Sequence, residues 1–288
     1  MPAPDPLSVP PEERAALEEL AVALAIEAGL MVRDERPAQM GVHHTKSTAL
    51  DVVTEMDTRS EDLLRARLAQ ARPQDAVLGE EAGLSDGTSG LAWVLDPIDG
   101  TVNYLYDLPA YAVSVAVVVG DPTAPGAWAP VAGAVMNPRT DEVFHARAGG
   151  GAHLLTAEDS TPLHVTEMDD LAEALLATGF SYDRDVRVGQ AAVVADLLPR
   201  VRDVRRMGAA ALDLCHVAAG RVDGYWERGC HAWDIAAGML VVTEAGGTVT
   251  GLGADEPASE AMVVAAGTGL HPVLRGELER LVGGRPRD

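Results

Sequence analysis

Apolar residues at Leu17, Leu20, Leu24 and Ile26 recur at near-helical spacing behind Pro10 and Pro11, which predicts an amphipathic helix over residues 12–33. Thr58 and Glu61 have the spacing of a capping box and predict a second helix that ends near Pro73. From there the pattern shortens to apolar, β-branched runs at 76–78, 92–95, 112–119, 131–136 and 142–146, which read as strands. The last two are joined by a turn over Asn137, Pro138, Arg139 and Thr140. The first half therefore reads as helices on a largely antiparallel sheet. After Gly149, Gly150, Gly151 and the polar stretch 156–162, short strands alternate with helices at 174–178, 188–198, 204–205, 210–219 and 234–244. The change of rhythm places a boundary near residue 155, with an α+β unit over 1–155 and an α/β unit over 156–288.

Composition narrows the function classes. Of 288 residues, 47% are hydrophobic and 23% charged, as in an ordinary folded protein. Lys plus Arg number 22 against 44 Asp plus Glu, a net charge of -22 that opposes direct binding to nucleic acid or to an anionic membrane. A polyanionic ligand would need local compensation, such as a divalent cation held by clustered carboxylates, although most of the acids serve as a solubilising surface. Residues 1–13 carry acids and prolines and show no secretory signal. The longest apolar run, 111–119, is too short to span a membrane and reads as a buried strand. Cys215 and Cys230 are the only cysteines, too few for a disulfide framework, so the expected location is the cytoplasm.

The segment from Trp93 to Asn103 is the most informative, because a hydrophobic run leads straight into Asp96, Asp99, Gly100 and Thr101. Pro97 favours a turn after Asp96, so that carboxylates three apart converge on one metal pair. Gly100 allows backbone to approach an anion, and a helix starting at Thr101 would turn its free N–H groups toward a phosphate. Three further segments have bland readings of their own. Glu80, in the run Gly79, Glu80, Glu81, is either a carboxylate aimed at the same metals or part of a solvated turn. Asp57, which follows Lys46 and Asp51, and Asp234, which follows Trp226, Glu227 and Trp233, are each either site acids or helix N-caps. Taken together, acids at strand ends beside a helix start suit two-metal phosphoryl transfer.

At these same places the chain resembles the inositol monophosphatase family of magnesium-dependent, lithium-sensitive sugar phosphatases, bacterial type. The resemblance is carried by Lys46 to Asp57, Gly79 to Glu81, Asp96 to Thr101, Arg205 to Gly224, Trp233 to Gly238 and Thr243 to Gly247, and spans roughly residues 12–282. It implies a layered α/β/α/β/α fold with an N-terminal α+β half and a C-terminal α/β half, usually as a homodimer. It implies that Glu80, Asp96 and the Ile98 carbonyl hold one Mg²⁺ and that Asp96, Asp99 and Asp234 hold a second, with a third, weaker ion near Glu80. Thr101 with Asp57 would orient the attacking water, and Asp99, Gly100, Thr101, Gly208, Ala210, Glu227 and Asp234 would meet the substrate. Two departures stand out: Ala209 replaces the usual Ser or Thr, and Tyr104 the usual Phe.

Other signals carry less. Cys215–His216 and Cys230–His231 lack zinc-ligand spacing, and His43 and His44 read as loop residues. The basic cluster of Arg200, Arg202, Arg205 and Arg206 is interrupted by Asp203. Walker A, dinucleotide, nucleophile-elbow and zincin motifs are absent, and the acids at 96 and 99 are spaced wrongly for a phosphoaspartyl enzyme. The expected activity is hydrolysis of inositol 1-phosphate, a small phosphorylated polyol. Histidinol phosphate, fructose 1,6-bisphosphate and adenosine 3′,5′-bisphosphate are rival substrates, and a role as interaction partner of a transcription complex is the rival of another class.

Overall fold

The computed structural model describes residues 4–38, 44–45 and 52–283. His43, Lys46 and Asp51 lie outside them. Helices α1 (Pro11–Asp34) and α2 (Glu55–Ala71) cover one face of an eight-stranded sheet; β1 (His44–Thr45) and β2 (Val52–Val53) pair separately before α2. The sheet contains β3 (Ala76–Gly79), β4 (Gly83–Ser85), β5 (Leu91–Asp99), β6 (Ala112–Gly120), β7 (Trp128–Asn137), β8 (Glu142–Arg147), β9 (Ala152–Leu155) and β10 (Ser160–Pro162), in the order β10-β9-β8-β7-β6-β5-β3-β4. It is antiparallel except where β3 runs parallel to β5. Helix α3 (Thr101–Leu105) follows β5 directly.

The second sheet holds β11 (Leu175–Thr178), β12 (Asp203–Arg205), β13 (Gly224–Glu227), β14 (Gly247–Thr250) and β15 (Val263–Gly267), ordered β12-β11-β13-β15-β14. Helices α4 (Arg184–Leu197) and α7 (Leu270–Gly283) pack on its outer face. Helices α5 (Ala210–Ala218) and α6 (Ala232–Glu244) lie between the two sheets. The layers are therefore α/β/α/β/α. Strand β6 shows why its sequence is apolar without a break: Val113, Val115 and Val117 face α1 and α2, while Ala112, Ala116 and Val118 face α5 and α6. Small residues bring the inner layer close, since a Cβ on Gly133 of β7 would lie 3.1 Å from the Ala237 Cα of α6.

Three expectations are corrected. Helix α2 starts earlier than expected, because the capping box is Thr54 with Asp57 and not Thr58 with Glu61. Pro97 makes no turn after Asp96: β5 continues to Asp99, and a register shift between Asp96 and Asp99 absorbs the residue that cannot donate to the ladder. Helix α4 begins at Arg184, where the Asp183 carboxylate accepts the N–H groups of Asp185 and Val186. The first sheet continues through β10 to Pro162. Among the described residues no helix is long and apolar enough to cross a membrane.

Candidate active site

The site forms where three chain segments end against one another. At the end of β5, Asp96 accepts the Ile98 N–H at 3.1 Å, which folds the irregular stretch back on itself. Gly100 follows with φ +90 and is the N-cap of α3; a Cβ there would lie 2.9 Å from the Ala110 carbonyl oxygen. From the second half, Asp234 stands in the first turn of α6 and accepts the His231 N–H at 2.6 Å. Asp234 is thus a helical residue that bonds back to the cap position, not the N-cap itself. Asp96, Asp99 and Asp234 each present an oxygen within 4.8 Å of the others.

Asp99 also joins the halves. Its Oδ1 accepts the Ala210 N–H at 3.1 Å and its Oδ2 the Ala211 N–H at 2.7 Å, so a carboxylate from β5 caps α5. Ala209, the N-cap of α5, makes no side-chain capping bond, and the Asp99 carboxylate takes that function.

Behind this trio lies Asp57, 1% exposed at the start of α2. Its Oδ2 accepts the Thr54 N–H at 2.8 Å and the Thr54 hydroxyl, while Oδ1 is 3.0 Å from the Thr101 hydroxyl. The same hydroxyl is 3.0 Å from the Ile98 carbonyl oxygen. Asp57 is both a capping residue and a neighbour of Thr101, because its two oxygens have different partners.

The trio and its neighbours border a cleft of about 790 Å³ between the halves, which Glu80, Ile98, Gly100, Thr101, Gly208, Ala210 and Glu227 also line. Burial pushes Asp57 up to about 7, with the bonds from Thr54 opposing it and the charge of Glu80 adding to it. Asp99 rises to about 7, chiefly through burial, against the Ala211 N–H bond and with the charge of Glu227 adding. Burial raises Asp234 well above the carboxylate range, with Glu80 and Asp99 next in effect. Glu227 rises to about 7 through burial, opposed by the 2.7 Å hydrogen bond from the Tyr225 hydroxyl and by Arg206. Crowded hard oxygens whose charges raise one another's pKa are a donor set suited to Mg²⁺.

The inositol monophosphatase family model matches residues 13–282. The chain belongs to the inositol monophosphatase family. It is 44% identical to inositol-1-monophosphatase SuhB of Mycobacterium tuberculosis, over 96% of this chain and 98% of the relative. It is 38% identical to Nus factor SuhB of Pasteurella multocida, over 80% and 83% respectively. The solved structure of Mycobacterium tuberculosis SuhB superposes with a TM-score of 0.79 at 45% identity, covering 94% of this chain and 99% of that one.

Against the family pattern, the hydroxyl of Tyr104 is absorbed internally: it donates to the Val32 carbonyl at 2.8 Å and ties α3 to α1. Several residues at the site were not assigned a role there by the sequence reading. Asn103 donates to the Ala110 and Met207 carbonyls at 2.6 and 2.7 Å, fastening α3 to the loop before α5, and nothing local announces a partner so distant in sequence. Arg206 reaches the cleft with its guanidinium over the Phe180 ring, 6.0 Å from the centroid. The other arginines of its cluster turn elsewhere: Arg200 pairs with Glu277, Arg205 with Asp203, and Arg202 donates to the Glu173 carbonyl. Asp213 of α5 is buried with no hydrogen-bond partner among the described residues, and burial holds its carboxyl well above the usual range. Among the described residues the acidic trio is the one grouping with metal-ligand geometry, and both cysteines are buried and free.

Proposed function

We propose that this protein is a Mg²⁺-dependent phosphomonoesterase that hydrolyses inositol 1-phosphate to inositol and phosphate. The observation that carries the reading is the convergence of Asp96, Asp99 and Asp234 from both halves beside the start of α3. Glu80, Asp96 and the Ile98 carbonyl would hold one ion and Asp96, Asp99 and Asp234 a second, with a third, weaker ion near Glu80. Bound magnesium supplies Lewis acidity, lowering the pKa of water and offsetting phosphate charge. Thr101, donating its proton to Asp57, keeps lone pairs free to accept from the attacking water. Asp57 is buried behind it and acts through that hydroxyl. In-line attack by the water oxygen forms one P–O bond and breaks the ester bond; the proton that this water loses passes through the Thr101 hydroxyl to Asp57 and on to solvent, while the departing alkoxide takes a proton from a water held near Asp234, which regains one from solvent. Glu227 and Asp234 accept hydrogen bonds from the ring hydroxyls, while Gly208 and Ala210 shape the cleft wall. The Ala210 N–H is already donated to Asp99, so that residue meets substrate by shape.

Phosphate release from a panel of phosphomonoesters, with and without Mg²⁺, tests the reading, and Li⁺ should inhibit. Asp96→Asn and Asp234→Asn should each abolish turnover while keeping a folded circular dichroism spectrum. Activity within about tenfold of wild type in either variant would sink the ligand assignment. Glu227 also favours a second substrate, histidinol phosphate, whose ammonium group a carboxylate would attract. Glu227→Gln separates the two, because it keeps a hydroxyl acceptor and loses the charge. Selective loss of histidinol phosphatase activity in that variant, starting from a higher wild-type efficiency, would overturn the inositol reading. The name of the Pasteurella multocida relative favours testing a second role in a transcription complex, by pull-down with wild type and with Asp96→Asn. The family resemblance favours a homodimer, and two free cysteines support a cytoplasmic location.

A further inference from the structure

Glu61 lies one helical turn beyond Asp57 on α2 and is 2% exposed, yet it is not directed into the cleft. Both its oxygens grip the loop that follows β3: Oε2 accepts the Glu81 N–H at 2.7 Å and Oε1 the Ala82 N–H at 3.0 Å. Arg65, four residues on, donates to the same Oε1 at 2.7 Å and also donates to the Gly83 carbonyl. The loop is thus held at consecutive residues on the C-terminal side of Glu80. On its N-terminal side, Gly79 leaves room for the carboxylate, since a Cβ there would lie 2.2 Å from Glu61 Oε1. The neighbouring Ser60 donates to the Pro97 carbonyl at 3.1 Å, between Asp96 and Ile98. Positions i, i+3 and i+4 of a helix share one face. Through Asp57, Ser60 and Glu61 that single face touches all three stretches that supply the first-half groups of the site. A helix ion pair kept only for stability has no need of such contacts: Arg67 and Glu27 form an exposed bridge between α2 and α1 that touches no part of the site.

We propose that Glu61 is a positioning residue that fixes the backbone immediately after Glu80 and so sets how tightly the centre takes up divalent cation. The proposal rests on the metal reading above. Its origin is geometric: without Glu61 the Glu81 and Ala82 N–H groups lose their acceptor, the backbone that follows Glu80 is held less firmly, and ordering it on binding would weaken the metal.

The test is calorimetric titration of the metal-freed full chain with Mg²⁺, repeated with Mn²⁺ followed by electron paramagnetic resonance. The variants are Glu61→Gln, Gly79→Ala and, as a surface control on the same helix, Arg67→Met. Gln can accept one of the two N–H bonds, and Gly79→Ala displaces the Glu61 carboxylate without altering any acid. Both should weaken cation binding by about 10- to 100-fold, whereas Arg67→Met should leave it unchanged. At saturating Mg²⁺ the KM for inositol 1-phosphate should stay within about twofold of wild type, because substrate contacts are untouched. Unchanged cation affinity in Gly79→Ala, with only a lowered Tm, overturns the proposal even if Glu61→Gln fails to fold. Wild-type protein that takes up no divalent cation overturns the metal reading and the proposal together; wild-type uptake with unaltered variants overturns the proposal alone.

Discussion

Thr101 has one hydroxyl proton and two acceptors at the same 3.0 Å distance, the Asp57 carboxylate and the Ile98 carbonyl. An ionised Asp57 is the stronger acceptor, so it decides which way the hydroxyl points. Thr101→Ala should therefore lower kcat by about a hundredfold with little change in KM, and Asp57→Asn should do likewise. A rise in KM alone in both variants would make Asp57 a helix cap and nothing more. The raised carboxylates also set a pH dependence of stability. Asp57, Asp99 and Glu227 titrate at about 7 when folded and near about 4 when unfolded, so across that interval the native state holds protons that the unfolded chain has released. Their stabilising contribution is complete at the acidic end and is lost as pH rises through the folded values. Metal-free protein should consequently melt higher near about pH 5 than near about pH 8, with a gentler slope when Mg²⁺ is present. A melting temperature that rises over the same interval would contradict the burial of these acids. Asp96 and Asp99 were legible in the sequence because they sit in one short motif after an apolar run, whereas Asp234, which joins them from the second half, had a competing reading as a helix cap. Glu61 was not, because its partners are backbone N–H groups twenty residues away, and no side-chain pattern encodes them.

At the scale of elements, the strands easiest to read were those buried on both faces, β5 and β6, whose apolar runs admit no helical period. Their neighbours in the second sheet were harder. Strand β14 is half-buried throughout, and β13 begins with a glycine that a Cβ would push against Leu176 and Leu274. Helix α7 carries Pro272 and Gly276, which hide its period even though a proline in the first turn of a helix does no harm. Close approach of helices has a testable consequence at Gly238, where α6 meets α5. A Cβ there would lie 2.7 Å from the Leu214 Cβ, and Gly238→Ala should cost about 1–3 kcal/mol of stability by overpacking. Because Asp234 rides on the same helix, the variant should also bind Mg²⁺ more weakly; a chemical-denaturation curve and a cation titration of one sample measure both. Unchanged stability would mean that the inner layer has slack that the distances do not show.

For the molecule as a whole, a net charge of -22 sits on a fold whose cleft adds several carboxylates at close range, so a bound cation relieves repulsion both locally and globally. Magnesium should raise the unfolding free energy by about 2.7 kcal/mol at a hundredfold excess over its Kd, and a melt unmoved by Mg²⁺ would contradict a preformed site. The division into two units was drawn from a change of rhythm, but the rhythm is silent about which sheet a helix packs on. Helices α5 and α6 contribute to one core with residues of both sheets, Phe144 from the first and Tyr225 from the second among them. A chain cut near residue 162 would leave the first sheet with a bare apolar face and the second without its anchor. Heating should therefore disorder both halves in one cooperative event, with the calorimetric enthalpy equal to the van't Hoff enthalpy, and neither half expressed alone should stay in solution.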